Sequence, residues 1–139
     1  MSTENELHKA SDQFYEALNR MANGDADSMD DIWSHSDTVT ALHPIGGRSL
    51  GWDNVRESFQ QVAQIAAEGH IRLDDQMIQV AGDLAYELGN ERGQAIFSGH
   101  PVTLDHRVTN IYRLEVEGWK IVHHHTDVSS AMLDVLNQM

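Results

Sequence analysis

The sequence predicts an α+β fold, with helices packed on one face of a curved antiparallel sheet. Two observations carry this. Apolar residues recur every three or four positions up to about residue 69, and from His70 onward they recur every two. Turn signals then punctuate the second half at hairpin intervals: Gly82-Asp83, Ser98-Gly99-His100-Pro101 and Glu117-Gly118. Helices first and strands last segregate the two kinds of element, as α+β architectures do.

The elements follow in order. Residues 7–22 form an amphipathic helix, with Leu7, Phe14, Leu18 and Met21 on one side and Asn23-Gly24-Asp25 ending it. A short second helix runs from about Ala26, with Met29, Ile32 and Trp33 as its apolar side. Asp37 to Leu42 is rich in β-formers and reads as a strand, broken by Pro44, Gly46 and Gly47. A third helix follows Gly51, striped by Trp52, Val55, Phe59, Val62 and Ala66, with Gly69 as its stop. Strands are expected at 71–81, 84–97, 102–116 and 119–128, and a last short helix at 130–138.

Each strand sends alternate side chains to opposite faces, so the inward sets can be sorted. In 102–116 the more apolar set contains His106, Val108, Asn110 and Tyr112, and it is assigned to the concave face. In 84–97 the glycines and glutamates of one set suggest an outer face, which turns Tyr86, Asn90 and Arg92 inward. In 119–128 both sets hold apolar residues: Val122, His124 and Thr126 on one side, Trp119, Ile121, His123 and His125 on the other. The first set is assigned to a pocket and the second to an interface.

Length and charge bound the function. A chain of 139 residues fits one domain, taken as 1–139, large enough for a core without staples. It has no cysteine, so thiolate chemistry and disulfides are excluded, consistent with a cytoplasmic setting. The polar, acidic stretch Met1–Glu6 does not read as a signal peptide, and no apolar run reaches the roughly 20 residues of a membrane span. With 22 acidic against 9 basic residues the net charge is −13, which repels phosphate backbones and anionic lipid; no nucleic acid and no membrane is expected as partner. Phosphate-cradling and dinucleotide glycine motifs are missing, so no cofactor is expected.

Several stretches carry a resemblance over essentially the whole chain: Ala22-Asn23-Gly24-Asp25, Leu42-His43-Pro44, Gly51-Trp52-Asp53-Asn54-Val55, Val108 to Arg113 and Gly118 to His123. They resemble the nuclear transport factor two-like superfamily, which includes ketosteroid isomerases, SnoaL-like polyketide cyclases, scytalone dehydratase and the kinase II association domain. The resemblance implies a cone-shaped α+β roll of the cystatin-like kind, with three N-terminal helices on the concave sheet face. It also implies a small-molecule pocket and a homodimer through the outer sheet face. Carried onto this chain, the isomerase general base falls at His43, the protonated acid of the oxyanion hole at Asn110, and the tyrosine at Ala17. A histidine base with an amide donor suits isomerase, cyclase or dehydratase chemistry. The alternative is a ligand-binding or oligomerisation module of the same fold.

On this reading His43 and Asn110 are the candidate catalytic residues, although His43 also fits a histidine at the core rim bonded to its surroundings. Trp33, Trp52 and Phe59 would wall the pocket. Tyr86, Asn90, Arg92, Tyr112, His124 and Thr126 would line it, with Arg92 suited to a small acidic ligand. His123 and His125 have a metal-compatible spacing but no third ligand, so no metal is assigned, and opposed histidines at a dimer face would weaken association in mild acid.

Overall fold

The computed structural model describes residues 2–138; Met1 and Met139, the ends of the expected domain, lie outside it. Helix α1, Thr3–Met21, starts where the Ser2 side chain accepts a hydrogen bond from the Asn5 backbone N–H at 3.1 Å, with Glu4 and Glu6 at the favourable end of the helix dipole. The second helix is only a 3₁₀ segment, Asp27–Asp31. Three aspartates and a serine in five residues are weak helix formers, and Ala26 supplies no side-chain cap. Trp33 lies beyond it and bridges to Ile121 instead.

Strand β1, Thr40–Leu42, turns through Gly46 and Gly47 into β2, Arg48–Leu50, a short partner not legible in the pattern. Helix α2, Trp52–Ile65, then passes directly into β3, Ala66–Ala81. The helix therefore stops before Gly69. That glycine is a point of close approach: a Cβ there would lie 2.2 Å from the Ala22 Cβ. Strands β4 (Leu84–Phe97), β5 (His100–Glu115) and β6 (Gly118–Thr126) complete a meander, and α3, Ser130–Asn137, follows.

The six strands lie in the order β2-β1-β6-β5-β4-β3. All neighbours are antiparallel except β1 and β6, which pair in parallel. Bulges in β3 and at the β5–β6 pairing bend the sheet, as an extra unpaired residue does. Helices α1 and α2 cover its inner face, where Leu7, Phe14, Val55, Phe59, Leu104 and Ile121 are almost wholly buried. No helix among the described residues is long and apolar enough to cross a membrane.

The inward sets differ from expectation on two strands. On β5 the alternation holds: Val102, Leu104, His106, Val108, Asn110 and Tyr112 are all buried. On β4 it is reversed. Ala85, Glu87, Glu91, Ala95 and Phe97 face the core, while Tyr86 is 42% exposed and Asn90 and Arg92 lie on the outer side. On β6, Ile111 pairs with His123 but Tyr112 pairs with Ile121, leaving Val122 as an extra residue. The parity flips there, so Trp119 and Ile121 join His124 and Thr126 inside, and only His123 and His125 keep the outward side.

Candidate functional site

The inner face of the sheet holds two carboxylates in otherwise apolar surroundings. Glu87 is fully buried and receives three donors: Tyr112 Oη at 2.8 Å and Asn110 Nδ2 at 3.0 Å on Oε1, and Gln76 Nε2 at 2.7 Å on Oε2. Gln76 reaches it from the β3 bulge between Asp74 and Met77. Glu91, 4% exposed, receives Tyr15 Oη at 2.8 Å and His106 Nε2–H at 2.7 Å. Burial pushes the Glu91 pKa up, but the His106 hydrogen bond, electrostatic attraction to the His124 and His106 rings and the Tyr15 hydroxyl together hold it below the ordinary carboxylate value. Burial beside these carboxylates keeps Tyr15 and Tyr112 well above the ordinary phenol value, as hydroxyl donors.

Asn110 links this network to the histidines. Its Nδ2 donates to Glu87 and, at 3.2 Å, to Tyr15 Oη. Its Oδ1 therefore faces His124 Nδ1 at 2.6 Å, and that nitrogen must carry the proton, because a carbonyl oxygen only accepts. The reverse amide orientation would set an oxygen against the Glu87 carboxylate. His124 is thus held as one tautomer, and its Nε2 has no partner among the described residues. Burial lowers its pKa to about 4, despite the opposing pull of Glu91.

His43 is fixed by similar logic. Ser58 Oγ lies 2.6 Å from the Val55 carbonyl and 2.8 Å from His43 Nε2. The carbonyl takes the hydroxyl proton, so His43 Nε2–H donates to Ser58 Oγ and Nδ1 is left free. Burial lowers the His43 pKa. The ring meets Phe59 edge-on at 5.4 Å, and His124 lies 6.5 Å from the same phenyl ring.

These groups converge on one cavity of about 50 Å³, whose polar lining is His43, Glu91, His106 and His124. Its apolar walls come from α1, α2, β3, β4, β5 and α3, with Phe59 and Met132 among them. A second apolar space of about 140 Å³, bordered by Met132, Val135 and Leu136 of α3, shares Ile45, Val62, Phe97 and Met132 with it. Larger surface clefts, such as the one of about 440 Å³ between α1 and the β5–β6 turn, are bordered by Glu6, Lys9 and Lys120 and gather no comparable chemistry.

The structure brings together three of the residues expected at the pocket: His43, His124 and Phe59. Asn110 stands behind His124 with both its amide groups engaged, so it offers no donor to the cavity. Tyr112 borders the α1 cleft and spends its hydroxyl on Glu87. Trp33 and Trp52 stack on each other in the core, 6.3 Å apart, and Thr126 is buried nearby in sequence to His124 without lining the cavity. Tyr86, Asn90 and Arg92 are on the opposite face; Arg92 pairs there with Asp74, Asp75 and Asp105, so the expected acidic-ligand contact is not available to it. No cluster of three or more metal-ligating side chains occurs among the described residues.

Tyr15, Glu87 and Glu91 were not singled out by the sequence pattern, and His106 was placed on the concave face without a role. One signal for the glutamates was present. Ala95 and Phe97 share their parity on β4, whereas Arg92 shares its parity with Gln94. Following the alternation to the end of the strand places the glutamates inside.

Comparison with known proteins agrees with this architecture. A family model described as SnoaL-like domain matches residues 7–132. None of the curated proteins matches. Among solved structures, an NTF2-like protein from Streptomyces avermitilis with a proposed dehydratase assignment is 23% identical, covers 91% of this chain and 96% of its own, and superposes with a TM-score of 0.78. An NTF2-like superfamily protein from Salmonella enterica serovar Typhimurium is 18% identical, with coverages of 91% and 90% and a TM-score of 0.80. The CaMKII hub of S. rosetta is 22% identical, with coverages of 93% and 98% and a TM-score of 0.73. Identities this low establish the fold alone, a fold that serves several functions.

Proposed function

The chain belongs to the SnoaL-like domain family, and from that premise we propose that it is a small-molecule pocket protein with acid–base chemistry at His43 and His124. The observation that supports this best is the fixed tautomer of His124. Asn110 and Glu87 together hold its Nδ1–H, which leaves Nε2 as a bare imidazole nitrogen beside an apolar cavity. His43 presents Nδ1 in the same way from the other side of Phe59. Both rings sit below the ordinary imidazole pKa, so both are neutral at pH 7 and able to accept a proton. A proton taken at one ring nitrogen and returned within the same cavity is what an isomerisation or dehydration requires. Asn110 is a positioning residue here: its amide N–H groups are spent on Glu87 and Tyr15, so it does not act as an oxyanion donor.

Native mass spectrometry of gently purified protein, run beside His43→Gln and His124→Gln, tests the reading. The expected result is a small molecule of defined mass on the wild type that both variants lose while their circular dichroism is unchanged. Equal retention by all three proteins would remove the histidines from the site.

The outer sheet face supports a second role that does not compete with the first. Met77, Leu84 and Tyr86 are each more than 40% exposed there, and Tyr86 pairs with Ile111, which in turn pairs with His123. We propose that this apolar row meets a second copy of the chain. Trp119 and Ile121, buried in the core, take no part in it.

A further inference from the structure

Resting on the pocket reading above, we infer that the cavity selects a small, uncharged single-ring alcohol or phenol by that molecule's own hydroxyl proton, and that it rejects carboxylates. The argument is an inventory of what faces the space. Three histidines line it, and each has one ring nitrogen committed as a donor: His43 Nε2 to Ser58 Oγ, His106 Nε2 to the Glu91 carboxylate, and His124 Nδ1 to Asn110 Oδ1. Of the remaining nitrogens His106 Nδ1 is fully buried, which leaves His43 Nδ1 and His124 Nε2 to meet a ligand. In a neutral ring each is an acceptor with no proton to give.

His106 contributes no free acceptor to the space. It is 6% exposed, and its Nδ1 is fully buried without a partner. An atom so enclosed is out of reach of a ligand in the cavity, and the ring's polar role is its Nε2–H bond to Glu91. The fourth polar group, Glu91, has each carboxylate oxygen already engaged and adds negative charge. No lysine or arginine lines the cavity. A hydroxyl proton satisfies such a wall, whereas a carboxylate brings only more acceptors and a charge of the wrong sign.

Size narrows the class. A cavity of about 50 Å³ takes a few water molecules, at roughly 10–15 Å³ each. It shares Ile45, Val62, Phe97 and Met132 with the adjoining 140 Å³, and of these Met132 is an unbranched thioether that repacks readily. A single six-membered ring fits that combined space, with its hydroxyl at the histidines and its carbon face against Phe59 and Met132.

Phenol and benzoate, similar in shape and opposite in what they offer, are the probes. Binding to the wild-type protein at neutral pH would be followed through the imidazole nitrogen resonances of His43, His106 and His124. The expected result is saturable shifts with phenol and an affinity for benzoate lower by about tenfold or more, one unmatched polar contact. Benzoate binding as tightly as phenol at the same resonances would overturn the selectivity and leave the pocket reading standing. No shift with either probe up to its solubility limit would overturn both.

Discussion

The two faces of β4 make the most instructive contrast in the molecule. Going along one strand, Glu87 and Glu91 point into the core, and Tyr86, Asn90 and Arg92 point away from it. Side-chain polarity alone would assign them the other way round. The difference is partners. Each inner carboxylate collects donors from other elements, namely Tyr15 on α1, Gln76 on β3, and His106, Asn110 and Tyr112 on β5. A charge costs much to bury alone and far less when every lone pair is met. On the outer face Arg92 sits among three aspartates in solvent, where ion pairs contribute little.

This contrast is broken most directly by Glu87→Ala. Three donors lose their acceptor, and an unsatisfied buried donor costs roughly 1–3 kcal/mol, so the expected loss is about 4 kcal/mol or more in urea denaturation. Asn90→Ala on the other face should change stability by less than about 0.5 kcal/mol. Equal effects from the two would mean that β4 is not oriented as described.

The next effect is on pH. The folded-state pKa of His124, about 4, lies below the value near 6.5 expected in the unfolded chain. Between those values the unfolded chain binds the proton and the folded one does not. Stability is therefore full above pH 6.5 and falls as the pH drops toward 4, by on the order of 3 kcal/mol from this group. Glu91, held below the ordinary carboxylate value, adds its own loss at the acid end, as protonation removes the charge that its partners stabilise. His124→Gln keeps a donor for Asn110 and removes the titration. Its stability curve should be flatter than the wild type's between pH 6.5 and 4, and a curve of unchanged slope would assign the acid sensitivity elsewhere.

How much of this was legible depends on where the period-two pattern runs unbroken. On β5 it is continuous from Val102 to Tyr112, and the inward row could be read directly. On β6 one extra residue, Val122, reverses the parity midway, so Ile121 and His124 both end up inside. A bulge of this kind has no composition signal. At the site, His43, His124 and Phe59 were visible because each lies on a strand end or helix stripe that the local pattern defines. Tyr15 and Glu91 were not, because their burial depends on each other across 76 residues of sequence. Polar residues that are buried only because they meet cannot be recognised one at a time.

Arg92→Ala should have a smaller effect than either inner substitution. Its guanidinium pKa is raised by the Asp74 and Asp105 hydrogen bonds, yet these pairs are screened by water and salt. Stability close to wild type, with the residual difference disappearing at high salt in a thermal melt, is expected. A loss comparable to that of Glu87→Ala would place Arg92 in a structural role that its exposed geometry does not support.

Tyr86→Lys should change the folding stability least of all, because the side chain is 42% exposed and forms no hydrogen bond among the described residues. Its consequence belongs to assembly instead. If the row from Tyr86 through Ile111 to His123 meets a second copy, two opposed lysines would sit in the middle of the contact, and a charge buried without a partner is strongly unfavourable. Sedimentation velocity should then show a wild-type dimer and a Tyr86→Lys monomer of unchanged circular dichroism. The wild-type dimer should also weaken from about pH 7.5 to about pH 5.5, because burial and the neighbouring His125 already disfavour a proton on His123, and a tighter contact would disfavour it further. A variant that stays dimeric at both pH values would show that the apolar row is open to solvent in the native protein. The chemistry of β4 would then be entirely on its inner face.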